Sequence, residues 1–223
     1  MPTAEVSTII PVRNGAAFIE DALKSVYEQS LAPTEVIVID DGSEDDTASI
    51  VKRFSRVIYE KQPPLGQATA RNRGADIASQ KYIAFLDADD LWSHKKLELQ
   101  LAFLAENPEI EIVSGQMIQF STSDSGQIVQ HTEATPANLP GLMLMTRETF
   151  WRVGPYSSEW RVGEVIEWWA RAIDQNIKTG AIPEVVLKRR IHQHNLGKVA
   201  ETPIRDYLGI LNTIVRRRRG EQA

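Results

Sequence analysis

Three carboxylates lie close together at Asp87, Asp89 and Asp90, directly after the apolar run of residues 82–86. Unpaired acids at such spacing repel one another, and a divalent cation removes that repulsion. Hard carboxylate oxygens suit Mg²⁺ or Mn²⁺. A cation held there can bridge the phosphates of a nucleotide and offset charge on a departing diphosphate. The cluster therefore predicts a metal site, with a solvated acidic turn that caps the next helix as the alternative.

A second acidic pair, Asp40 and Asp41, ends the apolar run of residues 36–39. A carboxylate in that position can accept a hydrogen bond from a nucleotide base or from a ribose hydroxyl. The alternative is a turn that Asp begins, in which Gly42 supplies a positive φ and Ser43 caps the next helix. That turn accounts for the glycine and the serine but does not require two successive acids.

Basic and amide side chains occur at two further points. Arg13 and Asn14 follow the first apolar run, and residues 66–74 (GQATARNRG) open a helix. The guanidinium groups of Arg71 and Arg73 suit contacts to phosphate. The alternative for each is an arginine in solvent on a helix surface.

The elements that position these residues alternate along the first half of the chain. Apolar runs predict strands at 6–12, 36–39, 57–59 and 82–86, and helical spacing of apolar residues predicts helices at 18–27, from 43 onward and at 68–78. Such alternation indicates an α/β domain whose mainly parallel sheet is covered on both faces. Ligands of these sheets gather beyond the carboxyl ends of the strands. Arg13, Asp41 and Asp87 all follow such ends.

The second half is less regular. Its pattern predicts helices at 95–106, from 146 and at 164–175, strands within 110–120 and 185–191, and a loop-rich stretch at 121–140. No internal repeat or linker interrupts it. We therefore expect a single domain over residues 1–223, with a nucleotide-sugar-binding half at about 1–107 and an acceptor half with a C-terminal helix at about 108–223.

Composition excludes several classes of protein. The net charge of −5 does not favour nucleic acid as a partner, and the absence of cysteine excludes disulfides and Cys-based zinc sites. No run reaches the ~18 apolar residues of a membrane-spanning helix, and the first residues lack a leader pattern, so we expect a cytoplasmic protein. The first strand is not followed by G-x-G-x-x-G, which disfavours a nicotinamide dehydrogenase.

Four segments taken together carry a family resemblance. In order, they are residues 9–15 (IIPVRNG), 38–43 (VIDDGS) with 46–47 (DT), 66 with 70–74 (G, then ARNRG), and 85–90 (FLDADD). The chain resembles the family 2 glycosyltransferases, which have the GT-A fold. The resemblance is close over about the first hundred residues and loose beyond them. It implies inverting transfer of a sugar from a UDP- or GDP-linked donor to a hydroxyl of a saccharide or lipid-linked acceptor, with Mg²⁺ or Mn²⁺.

The resemblance also implies roles for particular residues. Asp87 and Asp89 form the DXD element, with Asp89 the main metal contact, and His192 (rather than His194) is an additional ligand or instead bonds the diphosphate or backbone. Arg13 stands where the family often has an aromatic residue that stacks on the base, and a guanidinium can also stack on a base. The expected nucleotide-binding residues are Pro11, Arg13, Asn14, Asp40, Asp41, Arg71, Asp87 and Ala88.

The general base is the unusual position. The family places the Asp of a Glu-Asp pair at the start of a late helix, and here the second position is Val165. Glu164 and Glu167 share a helix face and are the candidate catalytic residues, with Glu164 nearest the usual position. The alternatives are surface glutamates at a helix start and, for the chain as a whole, a catalytically impaired GT-A module that only binds nucleotide sugar.

The last segment has Leu208, Leu211, Ile214 and Val215 at helical spacing before Arg216–Arg219. A basic amphipathic helix of this kind can contact anionic lipid at the inner membrane surface. The alternative is a helix packed by its apolar face, with cations at its C-terminal end. Aromatic side chains of the acceptor half, at least two of them expected in the core, could stack on a sugar ring; they are Trp151, Trp160, Trp168 and Trp169.

Overall fold

The computed structural model describes residues 3–123, 127–193 and 203–220, so His194 lies outside the described residues. The strands are β1 (Thr3–Val12), β2 (Ala32–Asp40), β3 (Val57–Lys61), β4 (Tyr82–Phe85), β5 (Leu91–Trp92), β6 (Ile112–Thr122), β7 (Ile128–Gln130), β8 (Thr135–Pro136), β9 (Leu144–Thr146) and β10 (Thr179–Arg190). The helices are α1 (Ile19–Tyr27), α2 (Thr47–Val51), α3 (Gln67–Ile77), α4 (Lys96–Glu106), α5 (Arg147–Val153), α6 (Glu164–Asp174) and α7 (Pro203–Arg219).

These strands form one mixed sheet in the order β3-β2-β1-β4-β9-β6-β10-β5, with β7 and β8 paired to β6. The long ladders, β1 with β2 and β6 with β10, are parallel, as are β2 with β3 and β1 with β4. The antiparallel partners β5, β7, β8 and β9 are two or three residues long. The predicted α/β architecture with a mainly parallel sheet is confirmed.

Two apolar layers cover the sheet. Ile10 and Leu23 belong to the layer that α1, α2 and α4 build on one face. Ile9 and Trp168 belong to the opposite layer, which α3, α5 and α6 build. Neighbouring strand residues point to opposite faces, so a strand buried on both sides must be apolar without interruption. That requirement explains why the central strands read as continuous apolar runs.

Helix α3 approaches the sheet more closely than a side chain would allow. A Cβ added to Gly74 would overlap Cγ2 of Ile9 on β1. The absence of a side chain at Gly74 thus lets α3 lie directly on β1. This close approach fixes the position of residues 66–71, which lead from the loop into the helix.

The second half of the chain contributes to the same sheet as the first. Strand β9 pairs with β4 through Leu144 and with β6 through Met145 and Leu144, all in antiparallel register. The ladder therefore runs without a break from the predicted nucleotide half into the predicted acceptor half. The division near residue 107 stays a prediction.

Several boundaries differ from the predicted ones. Strand β10 begins at Thr179, earlier than expected, and the stretch at 121–140 contains the short strands β7 and β8. These segments are extended because they pair with β6. Such long-range pairing cannot be predicted from the local sequence pattern. Within the described ranges, none of the helices combines the length and the apolar character needed to cross a bilayer.

Candidate active site

A cavity of about 560 Å³ opens beyond the carboxyl ends of β1, β2 and β4. Most of the site residues predicted from the sequence line it, namely Pro11, Arg13, Asn14, Asp41, Asp87, Ala88, Asp89 and His192. The other predicted residues, Asp40, Arg71, Glu164 and Glu167, are not part of that lining. The strand ends thus bring together residues that are more than 170 positions apart in the chain.

The loop after β1 is held by the loop after β2. The backbone N–H of Asn14 donates to Ser43 Oγ at 2.9 Å, and that of Gly15 donates to Thr47 Oγ1 at 2.9 Å. Asn14 Oδ1 accepts from the N–H of Glu44 at 2.9 Å. Asn14 has a φ of 51°, which asparagine tolerates better than most residues. These bonds fix the cavity wall that carries Pro11 and Arg13.

Asp41 shapes the cavity through the loop that precedes α3. Its Oδ1 accepts from Gln62 Nε2 at 2.7 Å and from the N–H of Leu65 at 2.8 Å, and its Oδ2 accepts from the N–H of Gly66 at 2.9 Å. The side chain lines the cavity while it orders the opposite rim. Asp41 is therefore both a candidate nucleotide contact and a support for residues 62–66.

Asp40 does not have the predicted role of a nucleotide contact. It is fully buried, and its carboxylate accepts from the N–H of Ser43 at 2.7 Å and from the hydroxyl of Tyr59 at 2.6 Å. Burial, together with this bond and the charge of Asp40, raises the pKa of Tyr59 above its ordinary value. With Gly42 at a φ of 79°, the turn interpretation describes this residue correctly. Its oxygens are occupied inside the fold.

Arg71 joins the acidic cluster to the start of α6. Its Nη2 donates to Asp87 Oδ1 at 2.6 Å, and its Nη1 donates to Glu164 Oε1. Only 1% of Arg71 is exposed. Burial alone would lower the pKa of Arg71, but the carboxylates of Asp87 and Glu164 outweigh it and raise that pKa. In this arrangement both terminal nitrogens of the guanidinium bind carboxylates, and a contact of Arg71 to phosphate stays a prediction.

Asp89 and His192 meet on the cavity wall. Asp89 Oδ2 lies 2.9 Å from His192 Nε2, and the imidazole stacks on Phe18 with ring centroids 4.5 Å apart. One carboxylate and one imidazole are suitable donors for Mn²⁺ or Mg²⁺, which also take phosphate and water oxygens. Among the residues that the structure describes, no three acidic, histidine or cysteine side chains are grouped closely enough to hold an ion by themselves. The donor set fits an ion that completes its shell from a diphosphate.

Asp90 turns away from this wall. Its Oδ1 accepts from the backbone N–H of Arg190 at 2.8 Å. Burial, then the charges of Asp89 and Asp87, hold the pKa of Asp90 well above its ordinary value. The side chain of Arg190 donates to the backbone oxygen of Asp89 at 3.0 Å, to Asp21 Oδ2 at 3.0 Å and to a hydroxyl of β6. The acidic loop is thereby fastened to β10, β6 and α1.

Glu167 is not positioned for catalysis. It accepts from Arg171 Nε at 2.9 Å and from Arg217 Nη1 at 2.8 Å, so it anchors α7 on α6. Glu164 is 4% exposed and paired with Arg71. Of these two glutamates, only Glu164 is joined to the cavity, through Arg71 and Asp87. The alternative, in which both are surface glutamates, does not hold, because Glu164 and Glu167 are both buried.

Sequence reasoning missed several lining residues. Gln67, whose Nε2 lies 3.2 Å from Asp87 Oδ1, stands next to the positive-φ residue Gly66, a signal that could have marked it. Phe18 lies in the predicted helix at 18–27, and its ring also stacks on the imidazole of His192. Ser158 and Arg161, in the irregular segment beside Trp160, have no such signal. Of the four tryptophans named above, Trp160 lines the cavity, Trp168 is core, and Trp151 and Trp169 are partly buried against that core.

A mainly parallel sheet with carboxylates and an imidazole beyond its strand ends is the arrangement in which open α/β proteins bind their ligands. The family model for glycosyl transferase family 2 matches residues 7–161, and the chain belongs to that family. A relative from Rickettsia bellii, named an uncharacterized glycosyltransferase, is 47% identical over 107 residues. That match covers 47% of this chain and only 16% of the relative.

Solved structures share the fold. S. aureus TarS 1-349 in complex with UDP-GlcNAc superposes with a TM-score of 0.79 at 16% identity, over 95% of this chain and 65% of that one. The mannosyltransferase PcManGT from Pyrobaculum calidifontis, in complex with GDP-Man and Mn²⁺, gives a TM-score of 0.75 at 20% identity, over 95% and 64%. The chain thus shares its fold with GT-A transferases over about 95% of its residues.

Proposed function

We propose that this chain transfers a sugar, with inversion, from a nucleoside diphosphate donor to an acceptor hydroxyl with the aid of Mg²⁺ or Mn²⁺. The observation that carries the proposal is the pairing of Asp89 with His192 on the cavity that Asp41 and Asp87 also line. Membership of the family supports it. The complexes of similar proteins with UDP-GlcNAc and GDP-Man support a UDP- or GDP-linked donor.

The nucleoside contacts belong to the loop after β1 and the loop after β2. Pro11, Asn14 and Asp41 border the base and ribose, and the exposed guanidinium of Arg13 stacks on the base. Ala88, between the two acids of the DXD element, lines the cavity without filling it. Because the bonds to Ser43 and Thr47 hold this wall before a donor arrives, little ordering accompanies binding.

Asp89 and His192 would hold the divalent ion, with Asp87 beside them. The ion would supply positive charge that offsets the charge of the departing diphosphate. Arg71 keeps Asp87 in place from behind, since its guanidinium is buried and bonded. The acidic loop and residues 65–68 at the start of α3 both line the cavity, so the diphosphate would lie between them.

Removal of the acceptor proton requires a base, and we assign Glu164 to it. The residue begins α6 and is joined to Asp87 through Arg71. Trp160, which is half-buried on the cavity wall, supplies an aromatic face for an acceptor sugar. A saccharide or a lipid-linked sugar at the inner membrane surface fits such a platform.

The test is metal-dependent hydrolysis and transfer with a panel of UDP- and GDP-sugars. Asp89→Asn removes a ligand charge and should lower the rate about a hundredfold or more. Glu164→Gln should abolish transfer while nucleotide binding in a calorimeter persists. Asp76→Asn, an exposed acid on α3, is the matched control and should leave the rate unchanged. Wild-type turnover by Glu164→Gln would refute the assignment of the base.

A nucleotide-sugar-binding module without turnover is the second candidate. It is favoured by Val165 at the usual acidic position and by the ion pair that holds Glu164 against Arg71. Tight nucleotide binding by the wild-type chain, without hydrolysis or transfer across a broad acceptor panel, would support it and exclude the enzyme. Slow hydrolysis that Asp89→Asn removes would exclude the module.

A further inference from the structure

Helix α7 has two apolar faces, and the described residues cover one of them. Ile210 and Ile214, which are 0% and 9% exposed, pack with Ala170 and Trp160. A second set is exposed by 44% to 73%, and its members follow at intervals of four, three and four residues, which places them along one side of a helix; they are Ile204, Leu208, Leu211 and Val215. We call this set the α7 stripe. Large apolar side chains aligned in this way mark a contact surface.

The charged side chains that α7 itself places beside the stripe are all cationic. At 100° per residue, Arg205, Arg216 and Arg219 flank it on one side, and Arg218, which pairs with Asp174 of α6 at 2.9 Å, flanks it on the other. The acid of this helix, Asp206, points inward and accepts from the N–H of Arg161 at 3.2 Å. The helix therefore concentrates positive charge in a chain whose net charge is −5.

The positive charge beside the α7 stripe indicates which kind of partner can bind there. A second copy docked stripe to stripe would bring arginines of both copies together, and like charges at such distances repel. An anionic lipid surface satisfies both features, because apolar side chains enter the boundary between headgroups and acyl chains while guanidinium groups meet lipid phosphates. We propose that the α7 stripe docks the chain on an anionic membrane surface.

The docking helix is joined to the cavity wall. A Cβ added to Gly209 would lie 2.6 Å from Cζ3 of Trp160, so α7 lies directly against that ring. Asp206 also accepts from the N–H of Val162 at 3.3 Å. Because Trp160 also lines the cavity, α7 packs against one wall of the cavity, while the α7 stripe lies on a different side of the helix. The docking surface is independent of the transfer reaction; its use for lipid-linked acceptors rests on the proposed function.

Vesicle flotation of the full chain tests the proposal without donor or metal. We expect flotation with mixed phosphatidylglycerol–phosphatidylcholine vesicles and none with pure phosphatidylcholine. Leu208→Gln with Leu211→Gln should lower the partition coefficient about tenfold or more. Arg205→Gln with Arg216→Gln should lower it roughly tenfold, and added salt should reproduce that loss. These positions are exposed, so circular dichroism and melting curves should match those of the wild type.

Two substitutions elsewhere serve as matched controls. Ile58→Gln alters a side chain that is 41% exposed on β3, and Arg56→Gln removes an exposed cation near it; neither should change flotation. Failure of the wild-type chain to float with the mixed vesicles, or equal flotation of the stripe variants, would overturn the proposal. A lipid-free dimer that Leu208→Gln with Leu211→Gln disperses would assign the stripe to a second copy instead. A chain without transferase activity can still float, so this result is separable from failure of the proposed function.

Discussion

At the scale of single residues, the acids at the strand ends differ in what their oxygens already bind. Both carboxylate oxygens of Asp40 accept hydrogen bonds inside the fold, from Ser43 and Tyr59, whereas Asp89 contacts His192 on the cavity wall. Arg71 lies between Asp87 and Glu164 and forms an ion pair with each of them. The contribution of these two ion pairs to the free energy of unfolding can be measured.

Arg71→Met should destabilise the fold by about 3 kcal/mol, because it leaves two carboxylates without their cation in a mostly buried site. Urea unfolding measures the change. Arg73→Met on the same helix is the control: its ion pair with Glu60 is largely exposed to solvent, so its loss should cost far less than the loss of Arg71. Equal decreases in unfolding free energy for the two variants would show that the buried ion pairs of Arg71 stabilise the fold no more than an exposed pair does.

Lys96, the first residue of α4, offers a test of pH dependence. Its Nζ is buried, donates to Gln100 Oε1 at 2.6 Å and to the backbone oxygen of Leu142 at 3.3 Å, and burial holds its pKa well below 10.5. The unfolded chain then binds more protons between the folded pKa and about 10.5, so the free energy of unfolding rises with pH in that window.

Replacing Lys96 with methionine removes this titration. The difference in unfolding free energy between wild type and Lys96→Met should shift in favour of the wild type from pH 8 to pH 10, by at most about 1.4 kcal/mol per pH unit. Urea titrations at several pH values provide the measurement. Parallel curves over that interval would mean that Lys96 has the same pKa folded and unfolded.

The sequence predicted which residues follow the strands, and the strand ends brought most of them together. It could not predict which oxygens were already bonded, because the partners are remote. Glu164 lies 93 positions from Arg71, and Glu167 lies 50 from Arg217. An acid beside a turn looks the same in sequence whether it faces inward, as Asp40 does, or toward the cavity.

At the scale of elements, the contact of α3 with β1 depends on a missing side chain. Gly74→Ala would drive a methyl group into Ile9, and the strand cannot yield without disturbing the sheet. Overpacking of this kind costs about 1–3 kcal/mol. Urea unfolding should show that loss, although alanine is the better helix former. Asp76→Ala, exposed on the same helix, should change stability by less than about 0.5 kcal/mol; a neutral Gly74→Ala would contradict the close packing.

Elements of the first half were predictable because their strands are apolar throughout and their helices have regular spacing. Strand β10 was predicted too short because its first residues become extended only through pairing with β6. Helix α7 was predicted, but not its orientation: Leu208, Leu211 and Val215 are exposed, while Ile210 is buried. Two apolar faces on one helix cannot be ranked by local spacing alone.

At the scale of the whole molecule, the continuous ladder through β9 predicts one cooperative unit. Trp92 lies in the first half, while Trp168 lies in the second, and the core layer of Trp168 includes Ile9. Urea unfolding followed by tryptophan fluorescence and by far-ultraviolet circular dichroism should give coincident transitions. Separate transitions for the two probes would instead support independent halves divided near residue 107.

The side chain of Arg190 has a consequence for recombination between relatives. It ties the acidic loop to β6 and α1, and its backbone N–H holds Asp90. In a chimera that takes its second half from a homologue, the acidic loop of this chain would have to bind the homologue's residue in place of Arg190. A crossover placed after β9 retains Asp21, Thr122 and the acidic loop of this chain, so it should yield an active hybrid only when the incoming segment carries an arginine at the position of Arg190.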